Sequence, residues 1–165
     1  MPVTPFHGGI GLAFKGAAPR RFSFLLFCCT QVAIDLESGY HIVRGDWPIH
    51  RFFHTFLGAI LVCLIAVFAC RLVIRAVQRK LAERPDVRGR IQPAEISWRV
   101  AIGTAFIGCL GHVIPDAIMH YDVEPFAPFT TVNPFYEVVS VGALHGALVA
   151  IGVVGLGAIL RNQRR

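Results

Sequence analysis

The chain has 165 residues, of which 55% are hydrophobic and only 16% charged, and its mean hydropathy is +0.59. A soluble domain carries about 25% charged residues, so the composition excludes an ordinary soluble globule, and its hydrophobicity excludes a disordered chain. The net charge of +6 takes its meaning from where the charges fall.

In chain order, residues 3–14 are apolar but too short for an ordinary span. At that length a re-entrant or interfacial helix, or a short helix shielded by its neighbours, is expected. Thr4 reads as its N-cap and Pro5 as its first helical residue. No basic region precedes an apolar one, so no cleavable signal is read. Four longer stretches approach the roughly 17–25 residues that cross a bilayer. Residues 22–36 form the weakest, short and ending in Asp35. Residues 52–70 hold no Lys, Arg, Asp or Glu and can continue to Val77. Residues 100–115 are uncharged, and 96–99 plus the residues to Met119 lengthen them. Residues 138–160 are the cleanest, with His145 the only ionisable group. The expected fold is all-α: an integral membrane helical bundle of four to five helices, with a short N-terminal helix, forming one domain over residues 1–165.

A four-span path puts every basic residue except Arg44 and Arg51 on one side, including those of the polar hairpin 79–93, which Pro85, Gly89 and Pro93 interrupt. The positive-inside rule makes that side cytoplasmic, with the C-terminus on it. The acids do the reverse: only Glu83, Asp86 and Glu95 fall inside. The basic balance is thus a topology signal, and no nucleic-acid partner is expected. Cys28, Cys29, Cys63, Cys70 and Cys109 lie inside the spans without C-x-x-C spacing. They read as small buried apolar residues, not as a disulfide frame.

All seven histidines (His7, His41, His50, His54, His112, His120 and His145) fall on the outer half. Ionisable groups inside a membrane are costly, face the bundle interior and mark function. His50 and His54 are spaced i, i+4, which on one helix face presents two imidazoles to a metal. His112 and Asp116 share that spacing, and His120 follows at i+8. Pro115 removes an N–H, so a local kink is expected between them. Asp35 ends the first full span at this level, and His7 starts the N-terminal helix there. The expected metal ligands are His50, His54, His112 and Asp116, with His7 and Asp35 next, for one ion or two. Mixed nitrogen and oxygen donors suit zinc first, and also manganese or iron.

The order and spacing of these residues also resemble a known family. The elements are Thr4-Pro5-Phe6-His7-Gly8-Gly9; Ile34-Asp35-Leu36-Glu37; His50-Arg51-Phe52-Phe53-His54-Thr55; the Gly-x-x-x-His-x-x-x-Asp run from Gly108 to Asp116; and a proline-rich loop at 125–134. Together they make the chain similar to the bacterial membrane-bound metal-dependent hydrolases, also described as LexA-binding, inner membrane-associated hydrolases. It departs from that pattern at Glu37, where a second Asp is usual, and at Phe52, where a small residue is usual. The fold also looks remotely similar to the helical domains of zinc-dependent phospholipases C, which implies phosphoester chemistry.

The resemblance implies an inner-membrane hydrolase in which metal-activated water attacks an ester or phosphoester. Asp35, Glu37 or His120 is then the acid–base or ligand-orienting group. Arg51 neutralises a substrate anion or anchors at the interface, and Thr55 supports a ligand or bonds back to its own helix. A site near the outer face favours a lipid or other small-molecule substrate among the membrane lipids. The aromatic loop 121–136 serves as a lid or an interfacial belt. A non-catalytic metal-binding or transport protein is the alternative, and a haem protein using His54, His112 or His145 a third reading. Gly142 and Gly146 have the spacing for close helix approach, within the bundle or in a homo-oligomer.

Overall fold

The computed structural model describes residues 5–82 and 96–164. Thr4, Arg165 and the 83–95 segment, with Glu83, Arg84, Pro85, Asp86, Arg88, Gly89, Arg90, Pro93 and Glu95, lie outside them. The described residues form five α-helices and no strand: α1 (Gly8–Ala17), α2 (Phe24–Arg44), α3 (Phe56–Ala82), α4 (Trp98–Met119) and α5 (Val141–Gln163). Two 3-10 turns, Pro5–His7 and Phe52–His54, precede α1 and α3. The all-α membrane bundle expected from the composition is the fold that forms.

Side-chain hydroxyls set where the helices begin. Ser23, Ser97 and Ser140 accept hydrogen bonds from the backbone N–H groups of Leu26, Val100 and Ala143. Thr55 Oγ1 does the same for Gly58 N–H at 2.9 Å. Each such cap contributes about 1 kcal/mol. Thr55 thus bonds locally, as one of its two sequence readings held. The end of α2 corrects the sequence reading: Asp35 does not terminate it. The helix continues to Arg44 and stops where Gly45, at φ 68°, takes the left-handed C-cap conformation. A charged side chain on a protected face does not break a helix, whereas a left-handed residue does.

Three helices, α3, α4 and α5, are long and apolar enough to cross a membrane. At 1.5 Å per residue each exceeds the roughly 30 Å hydrocarbon thickness. The fourth span read from the sequence lies within α2, which has the length (21 residues) but carries Asp35 and Glu37 in its middle. α1, with 10 residues, reaches only about 15 Å, in keeping with the short shielded helix expected there.

Helix α4 is the centre of the bundle. α2 runs parallel to it: Ser23 N–H donates to Thr104 Oγ1 (3.1 Å), and further along Gln31 Nε2 donates to Gly108 O (2.9 Å). α3 runs antiparallel, with Ala59, Val62, Cys63, Ala66 and Val67 packed against Ala101, Ala105 and Cys109. Cys63 and Cys109 face each other across this seam as a sulfur–sulfur pair, their Cα atoms 6.6 Å apart. The reading of all five cysteines as unpaired fillers is corrected at these two. Cys29 departs from it as well, being exposed, while Cys28 and Cys70 are half-buried. At the far end of the seam Arg71 stacks on the Trp98 ring at 4.1 Å.

α1 runs parallel to α5, between it and α2 and α4. Gly9 abuts the backbone of Leu148 and Gly152, Gly16 abuts Gly155, and Gly155 abuts the backbone of Leu12. On its other side Gly11 meets Phe27. Lipid offers no hydrophobic drive between helices, so this backbone approach supplies the packing. The glycines that achieve it are not Gly142 and Gly146, which have no atom near where a Cβ would sit. Contact with α1 instead selects Gly152 and Gly155, three residues apart, so the Gly142/Gly146 spacing takes no part in the packing of α1 on α5.

These directions gather His7, Asp35, His54, His112 and Asp116 at one end, and Lys15, Arg71, Arg75, Arg99 and Arg161 toward the other. Adding a methyl in Gly155→Ala forces α1 off α5. It should destabilise the protein by about 1–3 kcal/mol, seen as a lower thermal midpoint in detergent. Gly142→Ala should leave the midpoint nearly unchanged.

Candidate metal centre

The site grows from two helical spacings and one turn. On α4, His112 and Asp116 stand one turn apart, and Pro115 between them does not end the helix. They lie about 10 Å and 5 Å from its C-terminal end. On α2, Gln31, Asp35 and Ser38 share a face at i, i+4 and i+7. His54 ends the 3-10 turn before α3, and His7 ends the turn before α1.

Asp116 is the hub. Its Oδ2 lies 3.1 Å from His112 Nε2 and 3.5 Å from His54 Nε2, and its Oδ1 lies 3.3 Å from His7 Nε2. Asp35 Oδ1 closes the group at 3.3 Å from His112 Nε2 and 3.9 Å from His54 Nε2. His54, His112 and Asp116 are at most 2% exposed. Asp35, His54, His112 and Asp116 each offer one ligand atom within a mutual 4.8 Å.

The hydrogen-bond network fixes one tautomer. Gln31 Nε2 donates to Gly108 O, so its Oε1 is the acceptor for His112 Nδ1 at 3.0 Å. His112 therefore carries its proton on Nδ1 and turns the Nε2 lone pair inward. His112 Nε2, His7 Nε2 and Asp35 Oδ1 are buried with no hydrogen-bond partner. Buried polar atoms are normally satisfied. Three orphans converging with carboxylate charge fit a divalent cation with nitrogen and oxygen donors.

Five of the six expected ligands, His7, Asp35, His54, His112 and Asp116, come together here. His50 does not join them as expected. Residues 50–54 are not one α-helix: His50 precedes the 3-10 turn in non-helical chain, so the i, i+4 helical reading is corrected. The reason is that α3 begins only after the Thr55 cap. The His50 and His54 rings still approach, with centroids 4.7 Å apart. His120 is not a third helical position either. It caps the end of α4 and stacks on His50 with centroids 4.4 Å apart. Asp122 completes this neighbouring trio of His50, His120 and Asp122. Burial, and then the nearby His50, push the His120 imidazole down to about 4; burial, and then His54, lower His50. Both are neutral at pH 7.

Glu37 stands at the edge. Its Oε2 accepts the Phe53 N–H at 2.7 Å and lies 3.8 Å from His54 Nδ1. It positions the turn that carries His54. Arg51 is exposed, and its Nε donates to Pro48 O (2.9 Å). His41 pairs with Asp46 (3.2 Å), and His145 stacks on Phe6 (4.2 Å). Sequence reasoning missed Gln31, Ser38 and Asp122 as site residues. The α2 pair was visible as polar residues in helical register with Asp35, whereas Asp122 lies in a loop where no periodicity operates.

Loss of the carboxylate in Glu37→Ala should cost about 1.5–3 kcal/mol, the range for a hydrogen bond to a charged group. Glu37→Gln, which keeps an acceptor for Phe53 N–H, should recover most of it. Chemical unfolding in detergent reads the difference.

No curated protein and no solved structure matches the chain. Residues 6–165 match the family described as YdjM inner membrane protein. That match runs through every residue of both side-chain groups and all five helices, and the chain belongs to the YdjM inner membrane protein family.

Proposed function

We propose that this protein is a metal-dependent hydrolase of the bacterial inner membrane, acting on an ester or phosphoester of a lipid or lipid-linked substrate. The observation that carries the reading is the convergence of unpartnered His7 Nε2, His112 Nε2 and Asp35 Oδ1 on the buried Asp116 carboxylate. Asp35, His54, His112 and Asp116 would hold the ion, zinc first and manganese or iron as alternates, with His7 beside them. A divalent cation there supplies Lewis-acid activation of water and of a substrate phosphoryl or carbonyl oxygen.

The chain's own residues supply the rest. Gln31 holds the His112 ring with Nε2 inward. Asp35 is the group best suited to take a proton from water, because its side chain is 13% exposed while Asp116 is sealed at 2%. Glu37 is committed to Phe53 N–H, which argues for a positioning role rather than a catalytic one. His120 stands in the adjoining group.

Two features support a lipid-type substrate. The cluster lies within about 10 Å of the end of a spanning helix. The loop after α4 packs Phe126 and Phe135 on Phe56 and leaves Phe129 and Val132 exposed. Such a rim suits an interface where acyl chains meet water. With the basic ends cytoplasmic, the site lies toward the outer face and the C-terminus inside. A reporter fused after Arg165 should be active only when its reaction is cytoplasmic; periplasmic activity would reverse this orientation.

Metal analysis of detergent-purified protein tests the centre. Bound metal should reach at least about one ion per chain in the wild type, and the ion of this centre should be lost in His112→Ala and Asp116→Ala. Gln31→Ala should weaken metal binding about 10–100-fold, the usual cost of removing a ligand's orienting partner. Substoichiometric metal, unchanged by these substitutions, would sink the reading. Bound metal without hydrolysis of phosphoester or carboxyl-ester lipids would instead favour the non-catalytic metal-binding or transport alternative.

A further inference from the structure

The neighbouring trio repeats, with different residues, the features that make the first group a metal site. Asp122 Oδ1 accepts from His50 Nδ1 at 2.9 Å, and its Oδ2 accepts the backbone N–H groups of Ile49 and His50 at 3.2 Å each. This clamp assigns the His50 proton to Nδ1 and leaves the Nε2 lone pair free, as Gln31 does for His112. His50 is 2% exposed, and its Nε2 is buried without a hydrogen-bond partner. His120, stacked on it, also has a buried Nε2 without a partner. One ligand atom from each of His50, His120 and Asp122 lies within a mutual 4.8 Å. A carboxylate oxygen has two acceptor positions, so Asp122 retains capacity for a cation while it clamps the loop.

A structural account leaves these nitrogens unexplained. Buried polar atoms are normally hydrogen-bonded, and an apolar ring would fill the same space without leaving two buried nitrogens unpaired. The trio also shares a wall with the first group through the His50 and His54 rings, 4.7 Å apart.

We infer that His50, His120 and Asp122 form a second divalent-metal position beside the Asp116 centre, so that the site is built for two cations. The second position has three protein donors against at least four in the first, which leaves it more open coordination for water or substrate. It is therefore the weaker and more readily exchanged of the two. Two adjacent cations would supply charge stabilisation to both oxygens of a phosphoester displacement, which favours that substrate class over a carboxyl ester. The inference rests on the metal-centre reading above, though its test counts ions and needs no substrate.

The test is zinc reloading of chelator-stripped, detergent-purified full-length protein, with bound zinc measured after gel filtration. Wild type should bind about two zinc ions per chain. His120→Ala should bind about one, and Asp122→Asn should retain the first ion while weakening the second about 10–100-fold. One ion in the wild type, kept in His120→Ala and lost in Asp116→Ala, overturns the second position and leaves the first reading standing. One ion lost in both variants overturns it too, since all the residues would then serve a single centre. No ion in the wild type overturns both readings. His120 lies at a helix end and is only half-buried, so the fold should survive its loss. If a variant aggregates, the wild-type count decides alone.

Discussion

The Asp116 carboxylate, 2% exposed inside a membrane bundle and touched by three imidazoles, is the constraint on which the other parts depend. A buried carboxylate costs several kcal/mol unless its charge is met by partners or a cation. The imidazoles that surround it come from three different parts of the chain: His7 before α1, His54 before α3, and His112 on α4 itself. Gathering the rings around one carboxylate therefore fixes the relative depth of three elements. The small residues along the α3–α4 seam, Ala59, Ala66, Ala101 and Ala105, let those backbones approach closely enough for His54 to reach Asp116.

The same constraint explains why a helix as short as α1 is retained in the bundle. Ten residues cannot span a bilayer, and α1 gains little by facing lipid. It is held by backbone approach at Gly9, Gly16, Gly152 and Gly155, and its payload is His7, delivered to Asp116 Oδ1 at 3.3 Å. Close glycine packing and polar convergence are two ends of one arrangement: loosening α1 from α5 withdraws an imidazole from the centre. α2 contributes differently. It presents Gln31, Asp35 and Ser38 along a single face, so its polar residues are shielded by the bundle while Leu25, Val32, Leu36 and Val43 stay exposed on the outside.

Orientation of the rings is as consequential as their position. Gln31 and Asp122, from different elements, each accept a hydrogen bond from the Nδ1–H of one histidine and leave the Nε2 lone pair free. Both clamps are themselves fixed by backbone groups, Gly108 O for the amide and two N–H groups for the carboxylate. Rings held this way need little rearrangement to accept a cation, which is the condition for tight and selective binding.

The amino-acid sequence by itself determined the all-α membrane class, the end of the bundle where the ionisable groups gather, and most of the side chains that meet there. It did so because a membrane tolerates charge only at its faces or in protected clusters, and because His112 and Asp116 obey helical spacing within one regular helix. What tertiary structure alone decided was the division of the histidines. His50 and His54 have the spacing of a helical pair, yet the α3 cap at Thr55 leaves His50 in non-helical chain beside Asp122. Asp35 looked like a helix end and proved to be mid-helix, since Gly45, not charge, stops α2. The glycines that matter on α5 were settled by which turn α1 touches. Local spacing reports what one element can present; which residues meet across elements depends on caps, loop paths and backbone clearance, and those are properties of the assembled chain.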